Sequence, residues 1–374
     1  MTATIKIPFF NYQGLFKAQE KEIMDTLQDV MSRGAYILQK DLEQFEDNLK
    51  QFLNVKYAFG VADGTNALIL SLHAAGVKPG DEVILPSHTY IATAASVHLS
   101  GGIPVLVECG ADHMIDPADI ERALTARTRV IMPVQLNGRT CDMDSIQGIA
   151  DRHDLIIIED AAQAFGSRFN NKCAGTFGAA GTFSFYPAKL LGCFGDGGAV
   201  VTNDDTIAEK LSLLRDHGRN KEGEVVTWGT NCRLDNIQAA VLNLKMKTFK
   251  KDIARRREIA HMYHQSLNEI EDLTLPPAPG EDENHFDVYQ NYELESGQRN
   301  ALKEYLSQKG VGTLIQWGGK AVHQFKGLGF ENVNLPKTDK LFTRCLMLPM
   351  NTSLTNEDVD YICNCVWQFY KNES

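Results

Sequence analysis

The chain has 374 residues, 43% hydrophobic, 23% charged and 9% aromatic, which at about 150 residues per domain makes two to three domains able to bury a core without staples. Forty-eight Asp and Glu against 37 Lys and Arg leave a net charge of −11; this disfavours nonspecific binding to nucleic acid or anionic membranes, so any anionic ligand has to be held by local groups. The opening MTATIKIPFFNYQGLF lacks a signal-type apolar run, and the eight cysteines are scattered with no CxxC pair; a cytoplasmic protein with reduced thiols and no metal site is expected.

Short β-branched runs alternate with helical patterns from about 57 to 205, the signature of a mostly parallel sheet covered by helices. The expected strands are YAFGV (57–61), EVILP (82–86), PVLVEC (104–109), VIMPV (130–134), LIIIED (155–160), TFSFY (182–186) and AVVTN (199–203). After Arg215 comes a charged, glycine-containing loop, HGRNKEGEVVTWGTN, then a long helical stretch from about Leu234 to Glu271. The cluster LPPAPGEDEN marks a loop between subregions. Beyond it YQNYEL reads as a strand, ALKEYLSQKG as a helix ending at Gly310, and NEDVDYICNCVWQFYKN as a final amphipathic helix.

Three segments carry chemistry. In GVADGTNALILSLHAAG, Gly64 and Thr65 stand between a strand end and a helix start, where free amides and the positive helix end suit a phosphate, or where they simply cap the helix. The buried-strand pattern LIIIEDAAQAFG closes on Glu159 and Asp160 at the carboxyl end, where open α/β sheets place ligands. There Asp160 either keeps a pyridinium nitrogen protonated or caps the following helix. In GTFSFYPAKLLGCFGDGGAVVTND, Lys189 is a lone lysine in an apolar turn: a solvated surface group, or, half-buried near a cationic ring, a nucleophilic amine. Ser184 precedes it by five residues and Asp160 by 29. Together with the glycine turn upstream, these describe pyridoxal phosphate held at three points.

The linked motifs DGTNAL, EDAAQA and SFYPAK…GDGGA resemble the DegT/DnrJ/EryC1/StrS family of nucleotide-sugar aminotransferases, from AYILQKDLEQFE near the start to MLPMN near the end. The resemblance implies an aspartate-aminotransferase-like α/β fold (fold type I). Residues 15–245 would form the large domain and 246–374 a smaller α+β domain, with residues 1–14 packed on the latter. It further implies pyridoxal phosphate as cofactor, bonded to Lys189. Asp160 would meet the pyridine nitrogen and Gln163 the phenolic oxygen. Tyr90 would stack on the ring, the alternative being a core aromatic, and Gly64, Thr65 and Ser184 would hold the phosphate. Asn231, in GTNCRLDNIQAA, matches the residue that reaches the partner's phosphate site, which implies a homodimer with shared sites.

The implied reaction is ping-pong transfer of an amino group from L-glutamate to a nucleotide-linked ketosugar, with Lys189 also moving the proton. Asp196 in Gly195-Asp196-Gly197-Gly198 and the EDAAQA form resemble relatives aminating C3; C4 is the alternative, and Asp196 otherwise shapes a tight turn. A substrate diphosphate needs cations: His217, Arg219 and Lys221 form the best cluster, with Lys320, His323 and Lys326 next, solvated loops being the plain reading of both. Two positions depart from the family pattern. Phe165 stands where many relatives carry His, which implies a missing polar contact near the substrate, and Gln316-Trp317-Gly318-Gly319-Lys320 replaces a His-Tyr-Pro-Ile-Pro-like segment. A sugar dehydratase of the same fold is disfavoured by Lys189, which that branch commonly replaces with His. A cofactor-binding regulator lacks a basic DNA-binding patch here.

Overall fold

The computed structural model describes residues 6–371. Thirteen strands fall into three sheets among these residues. The largest contains β1 (Tyr57–Val61), β2 (Glu82–Pro86), β3 (Ile103–Val107), β4 (Thr128–Ile131) and β5 (Ile156–Asp160). A small ladder, β6 (Arg168–Phe169) and β7 (Lys172–Cys173), precedes its last two members, β8 (Ala180–Ser184) and β9 (Gly198–Thr202). The order is β1-β9-β8-β5-β4-β2-β3, parallel except for β9, which runs antiparallel to both neighbours. Its strands are apolar on both faces because helices cover both, and Ile84, Ile131, Ile158 and Val200 are fully buried. Helices beside this sheet begin where a short polar side chain meets an orphan backbone amide: Asp63, Asp116, Asp142 and Asp204 each accept from the first turn of the helix they precede.

The second sheet joins β10 (Leu273–Thr274), β12 (Tyr292–Ser296) and β13 (Cys345–Leu348) in an antiparallel ladder, while β11 (His285–Phe286) pairs with β6. Helices Phe249–Leu267, Arg299–Gln308 and Asn356–Lys371 cover the second sheet, with Tyr263, Tyr292, Leu294, Leu346 and Ile362 in its core. Of the N-terminal segment 1–14, residues 1–5 lie outside the described residues; Ile7 bridges Val311 beside this sheet.

Several expectations shift. The segment 12–53, to which no element was assigned above, forms three helices, Tyr12–Ala18, Glu20–Arg33 and Lys40–Leu53. The third buries Leu42, Phe45, Leu49 and Leu53, an apolar stripe legible in DLEQFEDNLKQFL. The stretch 234–271 is two helices, Asn236–Met246 and Phe249–Leu267, parted at Lys247 and Thr248; Phe249, which opens the second, packs on Phe52 and Phe165 with ring centroids 5.7 and 5.0 Å away. The strand in TFSFY starts earlier and ends at Ser184, where the chain turns through Tyr186 to Lys189. The strand in YQNYEL starts at Tyr292, since Tyr289 takes a left-handed φ of 51° and Gln290 and Asn291 are spent on side-chain bonds.

Candidate active site

Strand β5 ends in two acids that point to opposite faces, as successive residues of a strand must. Glu159 turns away from the sheet's carboxyl-end cavity and accepts from the amides of Gly175, Phe177 and Gly178 and from Gln135. It ties the β7–β8 loop to the sheet. Asp160 instead lines a cavity of about 670 Å³, within the size of small-molecule sites. Thr93, on the helix Ile91–Leu99, donates to its Oδ2 at 2.8 Å, and the Ala162 amide to its Oδ1 at 3.2 Å. Burial raises its carboxyl, opposed by these bonds and by the charge of Lys189.

Lys189 enters the same cavity from the loop after β8. Gln290 clamps that loop on either side of it, accepting from the Leu190 amide at 2.7 Å and donating to the Ala188 carbonyl at 2.8 Å. Desolvation pulls the lysine from 10.5 down to about 8, against the opposing pull of Asp160.

A third wall is the N-terminus of helix Gly64–Ala74. Asp63 takes the Asn66 amide, leaving those of Gly64 and Thr65 without an intrahelical acceptor where they border the cavity. Space there is tight: a Cβ on Gly64 would sit 2.8 Å from the Ser184 Cβ, and one on Gly198 2.5 Å from the Asp63 carbonyl oxygen. Glycine backbone, a hydroxyl and a helix end thus form a narrow cradle for an anion beside Lys189. Tyr90 lies on the rim, 56% exposed. Gln163 reaches the cavity with its Oε1 tied to the Asn137 amide at 3.0 Å and to Asn291 at 3.3 Å, so its NH2 end is the free one. Asp196 also lines the cavity.

The other residues singled out in the sequence are elsewhere. His217, Arg219, Lys221 and Asn231 lie on or at the base of an exposed arm, 217–231, outside this cavity; the arm also carries Val225, Val226 and Trp228, the last 94% exposed. Lys320 and Lys326 are exposed outside it too. His323 is a strut, bonded to Ser87 at 2.7 Å and Asp339 at 2.9 Å. Phe165 does not border the cavity: it packs in an aromatic cluster with Phe52, Phe183, Phe185 and Phe249. The expected loss of a polar contact near the substrate is therefore a gain of core packing. Thr93, Asn137, Gln290 and Asn291 escaped sequence reading, because a lone polar residue, whether on a helix as Thr93 is or in a loop, carries no pattern; Gln316 stood out only as a departure from the family's segment.

A sheet with one antiparallel strand, a lysine on the loop after β8 and an aspartate at the end of β5 in one cavity define a fold type I pyridoxal-phosphate enzyme. The model of the DegT/DnrJ/EryC1/StrS aminotransferase family matches residues 17–367, and the chain belongs to that family. It is 36% identical over 372 residues to a protein of Geobacillus stearothermophilus named pleiotropic regulatory protein, covering 98% of this chain and 100% of that one. It is 38% identical over 356 residues to the dTDP-3-amino-3,4,6-trideoxy-alpha-D-glucose transaminase of Streptomyces venezuelae, covering 94% and 93%. Among solved structures, S. venezuelae DesV in complex with a ketimine intermediate superposes with a TM-score of 0.93 at 36% identity, covering 98% of this chain and 99% of that one. No helix among the described residues is long and apolar enough to cross a membrane.

Proposed function

We propose that the protein is a pyridoxal-phosphate-dependent aminotransferase that moves an amino group from L-glutamate to C3 of a nucleotide-linked 3-ketosugar in the cytoplasm. The observation that carries it is the meeting of Lys189, Asp160 and the helix end at Gly64 in one cavity. The cofactor, when bound, supplies an electron sink for the substrate carbanion.

The chain's own residues do the rest. Asp160, oriented by Thr93, keeps the pyridine nitrogen protonated. Gly64 and Thr65 amides and the Ser184 hydroxyl would hold the phosphate, Tyr90 would cover the ring, and the free NH2 of Gln163 would meet the phenolic oxygen. Lys189 would hold the cofactor between turnovers and, as a free amine, would take the proton from the donor's Cα. A lysine near 8 is a competent base at neutral pH. In the second half-reaction it returns a proton to the sugar carbon.

The active unit is a homodimer. An arm bearing exposed Val225, Val226 and Trp228 is an apolar surface suited to burial in a second copy. There the partner's Asn231 would complete the phosphate site, and His217, Arg219 and Lys221 would supply cations for the diphosphate. Support for C3 comes from Asp196 on the cavity wall and from the 3-amino product in the name of the Streptomyces relative. The name of the Geobacillus relative favours a second reading, a regulator without turnover. Incubating the holoprotein with L-glutamate separates the two: a transaminase loses its visible cofactor band and releases 2-oxoglutarate. An unchanged band would refute the catalytic reading. The NMR position of the new amine then tests C3, and amination at C4 with 3-ketosugars refused would refute that assignment.

A further inference from the structure

Gln316 is 2% exposed yet forms part of the cavity wall. Its Nε2 lies 2.8 Å from Glu293 Oε2 and 2.7 Å from Asn137 Oδ1. Glu293, on β12 and 3% exposed, also accepts from Asn137 Nδ2 at 3.1 Å and is bonded to His113 Nδ1 at 3.0 Å. Burial pushes Glu293 up, but the imidazoles of His88 and His113 and the bond from Gln316 hold it well below the usual carboxylate range. Burial likewise opposes the charge of His113, yet its bonds to Glu293 and Glu295 raise it to about 9.

An ionised carboxylate only accepts hydrogen bonds, so the end of Gln316 facing Glu293 has to be its NH2. Both amide hydrogens are then used inside the protein. The remaining oxygen, Oε1, receives no hydrogen bond from the described residues and is not among the sealed side-chain atoms that lack a partner; its open side is the cavity that Gln316 lines. Gln163 is held the other way round. Its oxygen is anchored by a backbone amide, which can only donate, and its NH2 is free. Of the side-chain amides on the cavity wall, Gln163 and Gln316 are thus held in opposite sense, one as donor and one as acceptor.

We propose that Gln316 is a specificity-determining residue whose Oε1 accepts a hydrogen bond from a ring hydroxyl of the acceptor sugar, and that Glu293 is the positioning residue that sets its direction. This rests on the nucleotide-sugar reading above. A site whose buried acceptor expects a hydroxyl penalises a sugar lacking it, because the oxygen is then left unpaired.

The test uses the holoenzyme and a 3-amino-3,6-dideoxy-D-galactose linked to dTDP or to UDP, whose ring hydroxyls are those at C2 and C4, with its 2-deoxy and 4-deoxy analogues. Affinity is read from the concentration dependence with which each amino sugar discharges the visible cofactor band. In the native protein, removing one of the two hydroxyls is expected to weaken binding roughly tenfold or more. That penalty disappears in Gln316→Met and shrinks in Glu293→Gln, whose own amide can turn and release the direction of Gln316. A merely structural role would weaken all three sugars equally. Equal loss on all three, or no penalty for either deletion in the native protein, overturns the proposal while leaving the transaminase reading standing. Failure of all the sugars to bind in either nucleotide form, in a protein whose band L-glutamate discharges, overturns the proposal and leaves the transaminase reading standing. Should Gln316→Met not fold, Glu293→Gln carries the same comparison.

Discussion

The position of Lys189 predicts how fast the cofactor-free protein takes up pyridoxal phosphate as pH is varied. The neutral amine attacks an aldehyde, so the rate rises with pH and reaches half its maximum at the amine's own midpoint. Lowering that midpoint from 10.5 to about 8 multiplies the neutral fraction about 300-fold at any pH well below 8. Asp160 opposes the shift, since its negative charge favours the ammonium. Asp160→Asn is therefore expected to move the midpoint further down and to speed attachment at pH 7. Turnover should nevertheless fall by orders of magnitude, because an amide cannot keep the pyridine nitrogen protonated. Stopped-flow growth of the visible band between pH 6 and 10 measures the first effect, and release of 2-oxoglutarate the second. A native midpoint near 10.5, or one that rises in Asp160→Asn, would refute the electrostatic account of the site.

Gly64→Ala is expected to lower cofactor affinity at least tenfold while the fold persists, because the new Cβ meets Ser184 at 2.8 Å inside the anion cradle; equilibrium dialysis reads the loss. Gln290→Leu leaves the Leu190 amide and Ala188 carbonyl without their partner and should cost about 2 to 4 kcal/mol in denaturant unfolding. Phe165→His places a polar ring among four aromatic neighbours and should destabilise by about 2 to 4 kcal/mol, with no change in which sugar is preferred; a shifted preference would mean that this position reads substrate after all. Trp228→Ser should weaken self-association in sedimentation equilibrium, since it removes the most exposed large apolar side chain of the arm. An unchanged dimerisation constant would exclude the arm from the interface.

Much of the sheet was legible in the chain. Buried parallel strands are continuous β-branched runs, and β1, β2 and β5 fall within a residue of where YAFGV, EVILP and LIIIED place them. Lys189, Asp160 and the glycine turn at Gly64 each had a plain alternative in the residues alone and were singled out by the family resemblance; the structure brings all three to one cavity. What only the tertiary structure decided is where isolated polar and aromatic side chains go. Whether Phe165 faces substrate or core depends on Phe52, Phe183, Phe185 and Phe249, which approach it from three separate stretches of chain. Whether His323 meets a ligand or Ser87 and Asp339 depends on contacts 236 and 16 residues away. Gln290 clamps the Lys189 loop from about 100 residues downstream, and Glu293 turns the Gln316 amide from a neighbouring strand. Local periodicity encodes elements because each residue's face is set by its neighbours in sequence. The direction of a buried hydrogen bond is set by a partner brought near only by folding.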